Sequence, residues 1–217
     1  AVGLTEESIT VGGEGEVGEV FRLIHSQGWE IGLHPAWHSF DDGAAMARER
    51  ERLEDSIGSD VVSVRQHYLH YDVRCTPSAQ ARAGLRYDST GGFNDNVGFR
   101  FGTCYPWRFR GERAAAGTSV LEVPLIVQDS AMLNPSKGLR LDTETAFRYV
   151  LRLASAVEGV GGVLTLSWHA GYGVRKDSFQ LYGRVLEALA KNGPWFAPAK
   201  EIGRWWEREN ESGPAGR

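Results

Sequence analysis

The sequence predicts an α/β fold, a mostly parallel sheet covered by helices, and three observations predict it. Strand-like and helix-period segments alternate along the chain. No internal repeat or low-complexity stretch interrupts that alternation. Polar and titratable residues gather at the ends of the strand-like runs, where open α/β sheets and barrels carry their chemistry. Alternation by itself fits an open sheet and a barrel equally well.

The elements follow in order. Residues 17–27 place Val17, Val20, Phe21 and Ile24 on one helical face, and Gly28 is a natural stop. A short strand, Trp29 to Leu33, runs into His34-Pro35. Asp41 and Asp42 cap a charged helix whose apolar positions Met46, Leu53 and Ile57 recur at helical spacing. A second strand covers residues 61–69, and Pro77-Ser78 open a short helix that stops at Gly84. LRYDST is a third strand. Residues 91–117, rich in Gly, aromatics and Arg, read as a long loop with one short strand, GFRFGT; a loop of that length inside a domain is usually functional or disordered. SVLEVPLIVQ is a strand, 143–157 a helix, GVLTLSWH the most apolar strand, and 176–193 an amphipathic helix. A strand-like WFAPA and a Trp-rich helix, EIGRWWEREN, close the pattern, and the tail 212–217 is expected to fray.

With 217 residues the chain fits one domain, expected over 1–211, with enough length to bury a substantial core. A hydrophobic share of 41% and a charged share of 24% are ordinary for a globular protein. A net charge of −4 gives no bulk attraction to nucleic acid or an anionic membrane, and no apolar run spans a bilayer. The first twenty residues have neither the basic nor the apolar region of a signal peptide. The chain does not begin with Met, so the expectation is that translation starts upstream of residue 1. Cys75 and Cys104 fit neither a zinc knuckle nor a redox pair and read as reduced thiols of a cytoplasmic protein, a disulfide being the alternative. GGEGEVG has no phosphate-loop lysine and follows no strand.

Five strand ends deliver a polar group: His34 and His38 after WEIGL; Arg65, His67 and Tyr68 after VVSV; Asp88 after LRY; Asp129 after LIVQ; and Trp168-His169 after LTLS. Scattered surface residues would have no reason to share one end of a sheet. The i, i+4 spacing of HPAWH lets two imidazoles reach one metal ion at ~2.0–2.1 Å if the segment turns helically after Pro35. With few other Cys or His nearby, an open catalytic site fits better than a closed structural one. His169, after an apolar run, reads as a general acid or as a neutral buried histidine bonded to a carbonyl. Arg65 near the end of a buried strand requires a carboxylate partner, with Asp88, Asp129 or a residue outside the chain available to it. Trp37, Tyr68, Trp107 and Trp168 lie beside this constellation and are candidate sugar-stacking groups, whereas Trp205 and Trp206 read as packing on the last helix.

Taken together, WEIGLHPAWH, VRQHYLHY and LTLSWH resemble, in order, the second, third and last motifs of polysaccharide deacetylases, the NodB-type domain of carbohydrate esterase family 4. YDSTGGFNDNVGFRFGTCYPW, with EVPLIVQDS after it, resembles one bacterial branch of that family, and the similarity runs over residues 17–197. The resemblance implies a distorted (β/α) barrel that removes N- or O-acetyl groups from a glycan. It implies that His34 and His38 bind Zn²⁺ or another divalent transition metal, that His169 is the general acid, and that Arg65 orients a catalytic carboxylate, with Asp88 the candidate in this chain. A backbone N–H near Tyr68 would help hold the oxyanion.

One departure stands out. The family's first motif supplies two aspartates, one as base and one as metal ligand, and no strand with adjacent acids precedes His34. The expectation is therefore of a fragment lacking its first strand, with two metal ligands rather than three, and poorly active or inactive by itself. The alternatives are a degenerate relative that binds glycans without cleaving them, and a metal-dependent amidohydrolase acting on a small amide. Sugar identity, N- against O-acyl bond, native metal and oligomeric state are open at the level of sequence.

Overall fold

Helix starts and stops are where the sequence chemistry expects them. Asp42 accepts hydrogen bonds from the backbone N–H groups of Ala44 at 2.9 Å and Ala45 at 3.0 Å, which satisfies donors that the first turn of a helix leaves open. The same helix stops at Gly58, whose φ of 68° is left-handed and suits glycine. Asp142 repeats the device for a second long helix, accepting from Thr145 N–H at 2.8 Å, and Gly161 ends that helix.

The computed structural model describes residues 14–109, 120–169 and 176–211. In chain order the elements are α1 (Glu14–Ser26), α2 (Gly43–Ile57), β1 (Ser63–Val64), α3 (Thr76–Arg82), β2 (Tyr87–Asp88), β3 (Trp107–Arg108), β4 (Leu121–Glu122), β5 (Val127–Gln128), α4 (Asp129–Leu133), α5 (Thr143–Val160), β6 (Leu166–Ser167), α6 (Lys176–Ala190) and α7 (Ala199–Glu211). The described residues form two compact units: 14–90, 106–109, 120–123 and 197–211 make the first, and 91–105, 124–169 and 176–196 the second.

The first unit carries a four-stranded sheet in the order β1-β2-β4-β3. β1–β2 and β2–β4 are parallel, with Val64 opposite Asp88 and Asp88 opposite Glu122, while β3 runs antiparallel to β4. The segment before His34 joins this sheet through one parallel bridge, Leu33 to Val64. Met46, Leu53 and Ile57 form the buried stripe of α2, and they pack with Phe21, Ile31, Leu33, Val64, Ala79 and Leu85. A side chain at Gly43 would meet the Ala79 carbonyl at 2.7 Å, so glycine is what lets the start of α2 lie close to α3. Helix α7 is tied down by Glu207, which accepts from Tyr87 Oη at 3.0 Å and pairs with Arg86 at 3.0 Å and Arg108 at 2.6 Å. Trp205 and Trp206 lie on α7 as surface and packing residues, Trp205 partly exposed.

In the second unit β5 and β6 pair in parallel, Val127 opposite Leu166 and Gln128 opposite Ser167. Their core gathers Ile126, Val127 and Met132 with Ala146, Val150 and Val157 of α5 and Leu181 and Val185 of α6. The loop 91–105 joins it through Gly98 N–H to the Ile126 carbonyl at 2.8 Å and Val163 N–H to the Cys104 carbonyl at 3.0 Å.

Several expectations need correction. The described strands form two sheets, neither closed on itself, so the α/β class stands and a distorted barrel is not seen among the described residues. SVLEVPLIVQ splits into β4 and β5 on either side of Pro124, which lacks the N–H a continuous ladder needs. GFRFGT and WFAPA are not strands, and the next strand after GFRFGT is Trp107–Arg108. A short helix, α4, starts directly at Asp129, where no helix was expected. As expected, Cys75 and Cys104 are both free thiols. The expected loop residues 110–117 and the tail 212–217 lie outside the described residues. No described helix is long and apolar enough to cross a membrane.

Candidate active site

In the first unit, parallel strands deliver their next residues to one edge. His34 follows Leu33, Arg65 follows Val64, and Ser89 and Thr90 follow Asp88. The loop carrying His34 is pinned to α2 by Glu49, which accepts from Ala36 N–H at 2.8 Å and from the Ser39 hydroxyl. After Pro35 the chain turns as a 3-10 helix, Trp37–Phe40, which places His38 on an exposed turn. His34 is half-buried, and its Nδ1 lies 2.7 Å from the Arg65 carbonyl. A carbonyl only accepts, so Nδ1 carries the proton and Nε2 keeps its lone pair. That second partner is the usual device for orienting a metal-binding imidazole, and His34 fits such a role. The imidazole found beside Nε2 is that of His67, with Nδ1 at 3.1 Å. Among the described residues no group of three or more His, Cys, Asp or Glu side chains is placed to hold a metal ion.

Tyr68 and Leu69 follow with φ of 52° and 51°, two consecutive non-glycine residues in the left-handed region. Such conformations cost about 1–3 kcal/mol each and persist where surroundings enforce them, often at functional sites. Here the enforcing contact is His70. Its ring stacks on Trp37 at 3.9 Å and on Phe40 at 3.8 Å, and its Nδ1 lies 3.0 Å from the Trp37 carbonyl. The result leaves Trp37 and Tyr68 edge-to-face, 6.0 Å between ring centres, with 46% and 54% of their surfaces exposed. Two exposed aromatics, Tyr68 in the strained turn and Trp37 on the 3-10 turn beside it, form a ready apolar platform. Trp107, by contrast, is half-buried on β3 against Phe109.

Beneath this edge lies a buried polar network. Arg65 donates through Nε to the Ser89 carbonyl at 2.9 Å and through Nη2 to the Ser89 hydroxyl at 2.6 Å. Burial lowers the Arg65 pKa, and the Asp88 and Glu122 carboxyls work against that shift. Asp88 is 1% exposed; Gln80 donates to it at 2.7 Å and the Thr90 hydroxyl donates to its other oxygen. Burial raises the Asp88 pKa, while hydrogen bonds from Thr90, Gln80 and Glu122 pull the other way. Asp88 therefore has no open face toward solvent; what it touches is the support of the edge.

The second unit repeats the arrangement with a different outcome. Asp129 follows β5, and Trp168-His169 follows β6, its parallel neighbour. Asp129 Oδ1 lies 2.6 Å from His169 Nδ1, and Asp129 Oδ2 accepts the His169 backbone N–H at 3.0 Å. One carboxylate thus holds both the ring and the backbone of the histidine, whose side chain stays 43% exposed. Trp168 donates through Nε1 to the Ser178 hydroxyl at 3.0 Å and tilts against Tyr182, a packing role. Sequence reading placed Asp129 and His169 at strand ends but did not pair them; adjacency of their two strands is the signal that would have done so. It likewise took His67 as one polar group among several.

No family model matches the chain, and no curated protein matches it. Solved structures do. A probable polysaccharide deacetylase from Pseudomonas aeruginosa PAO1 superposes with a TM-score of 0.61 at 21% identity, over 89% of this chain and 64% of that one. Puue allantoinase superposes with a TM-score of 0.63 at 18% identity, over 96% of this chain and 68% of that one. The chain spans about two thirds of the length of each, 64% and 68%. Parallel strand ends bearing His34, Arg65, Asp129 and His169, together with these superpositions, give the chain the fold of a polysaccharide deacetylase-type domain.

Proposed function

We propose that the protein is a hydrolase of acyl bonds that removes acetyl groups from a glycan or amino sugar. The observation that carries this reading is the Asp129–His169 pair, a half-exposed imidazole held through Nδ1 by a buried carboxylate. That arrangement keeps the Nδ1 proton on the carboxylate side and leaves Nε2 to exchange a proton, the requirement for general acid–base work.

In the proposed reaction water adds to the acyl carbon, the carbon–nitrogen or carbon–oxygen bond breaks, and the products are acetate and a free amine or alcohol. His169, protonated, gives its Nε2 proton to the departing nitrogen or oxygen, and Asp129 stabilises the imidazolium while it exists. Trp37 and Tyr68 offer a stacking surface to a sugar ring. Arg65, Asp88 and Glu122 hold the strand ends of the first unit and act as positioning residues there. In the first unit His34 and His38 would hold Zn²⁺ or a similar divalent ion, which when bound would polarise a carbonyl and lower the pKa of water.

The superposition on Puue allantoinase favours a second reading, cleavage of a small cyclic amide. Acetate release from an N-acetylated amino-sugar oligomer, run beside ring opening of allantoin, separates the two. Turnover of the oligomer with none of allantoin is the expected result, and the reverse would replace the first reading with the second.

A further inference from the structure

We infer that His70 is the positioning residue of the Trp37–Tyr68 platform, the side chain that fixes the two rings in the arrangement a sugar stacks on. This deepens the glycan reading above and rests on it. Trp37 and Tyr68 belong to different turns, one after Pro35 and one after Gln66. His70 joins them. Its ring packs on Trp37 at 3.9 Å, inclined by 17°, and on Phe40 at 3.8 Å, inclined by 32°. Its Nδ1 lies 3.0 Å from the Trp37 carbonyl, which only accepts, so Nδ1 carries the proton and donates it there.

The backbone gives the reason a clamp is needed. The turn is held at its entry by Gln66 N–H, which donates to the Thr90 hydroxyl at 2.9 Å, and on its inner side by Leu69, which is buried. Tyr68 and Leu69 both sit at left-handed φ, 52° and 51°, where extended backbone is the easier state for a side-chain-bearing residue. Rotation at either residue would re-aim the Tyr68 ring and carry His70 away from Trp37. His70 N–H closes the turn onto the His67 carbonyl at 3.0 Å, and its ring then fastens the end of the turn to Trp37 and Phe40. Rings ordered before a ligand arrives lose little further freedom on binding it, so His70 acts on affinity without touching the sugar.

Calorimetric titration of the whole chain with the N-acetylglucosamine tetramer tests this, for the parent and for His70→Ala, His70→Asn, His70→Phe and Trp37→Ala variants. Urea midpoints followed by circular dichroism check folding. Stacking on two rings is the larger part of the clamp, so His70→Ala and His70→Asn are expected to weaken binding at least about tenfold, as Trp37→Ala does, although asparagine keeps a donor for the carbonyl. His70→Phe keeps a ring against Trp37 and Phe40 and should return affinity to within about threefold of the parent. A histidine that only stabilises the fold would lower the urea midpoint and leave the affinity of the folded protein unchanged, and that result would overturn the proposal. A His70→Phe protein that binds as weakly as His70→Ala would overturn it too. Binding lost in Trp37→Ala but kept in His70→Ala would remove the role of His70 and leave the glycan reading standing. A parent chain that binds no tetramer would overturn both.

Discussion

Asp88 and Asp129 occupy equivalent topological positions, one ending and the other following a short parallel strand, and both are buried. Their partners differ. Asp88 is met by the neutral donors Gln80 and Thr90 and by a second carboxyl, Glu122, and its pKa is raised by burial. Asp129 is met by the ring and backbone of His169. Burial and strand position therefore do not assign a role; the chemistry of the partner does. A carboxyl surrounded by neutral donors stabilises a sheet edge, whereas one facing an imidazole prepares a proton donor.

The sharpest way to break this contrast is Asp129→Asn. An amide facing Nδ1 favours the wrong ring tautomer, so acetyl hydrolysis should fall by about 10³–10⁴-fold with the fold intact, read from kcat/KM and circular dichroism. An effect below tenfold would remove Asp129 from the proton path. Next in size is Leu53→Ala, which empties a fully buried position behind the first unit's edge and should cost about 2–5 kcal/mol in urea unfolding. Asp88→Ala should follow at about 1–3 kcal/mol, because it strips the donors of Gln80 and Thr90 of their acceptor.

The smallest expected effect is a pH slope. Because the folded Asp88 pKa lies above its unfolded value, its contribution is fully present below the unfolded pKa and is lost as pH rises through the folded one. Asp88→Asn should flatten that part of the stability curve, measured as urea midpoints from pH 4 upward in ~1-unit steps. An unchanged slope would mean that the carboxyl does not titrate in isolation from Glu122.

Much of this was legible in the chain. Helical periodicity located α2 and α5 closely, and Asp42 marked the start of α2, because caps and apolar stripes are local signals. Strands were overread: VVSVRQHYL keeps two ladder residues before turning at His67, and Pro124 cuts the longest run. The site was legible as a set of strand ends but not as pairs. His169 finds Asp129 forty residues away, and His34 finds His67 thirty-three away, through parallel neighbours whose order no local pattern encodes. The i, i+4 spacing drew attention to His38, which lies on an exposed 3-10 turn, while the imidazole beside His34 comes from the next strand end.

The most direct test of the central claim is single-turnover acetate release, protein in excess over an N-acetylated amino-sugar oligomer with Zn²⁺ supplied, for the parent and for His169→Ala. Acetate released by the parent and lost at least about a hundredfold in the variant is the result expected of a general acid at His169. Release that is unaffected by the substitution would contradict it.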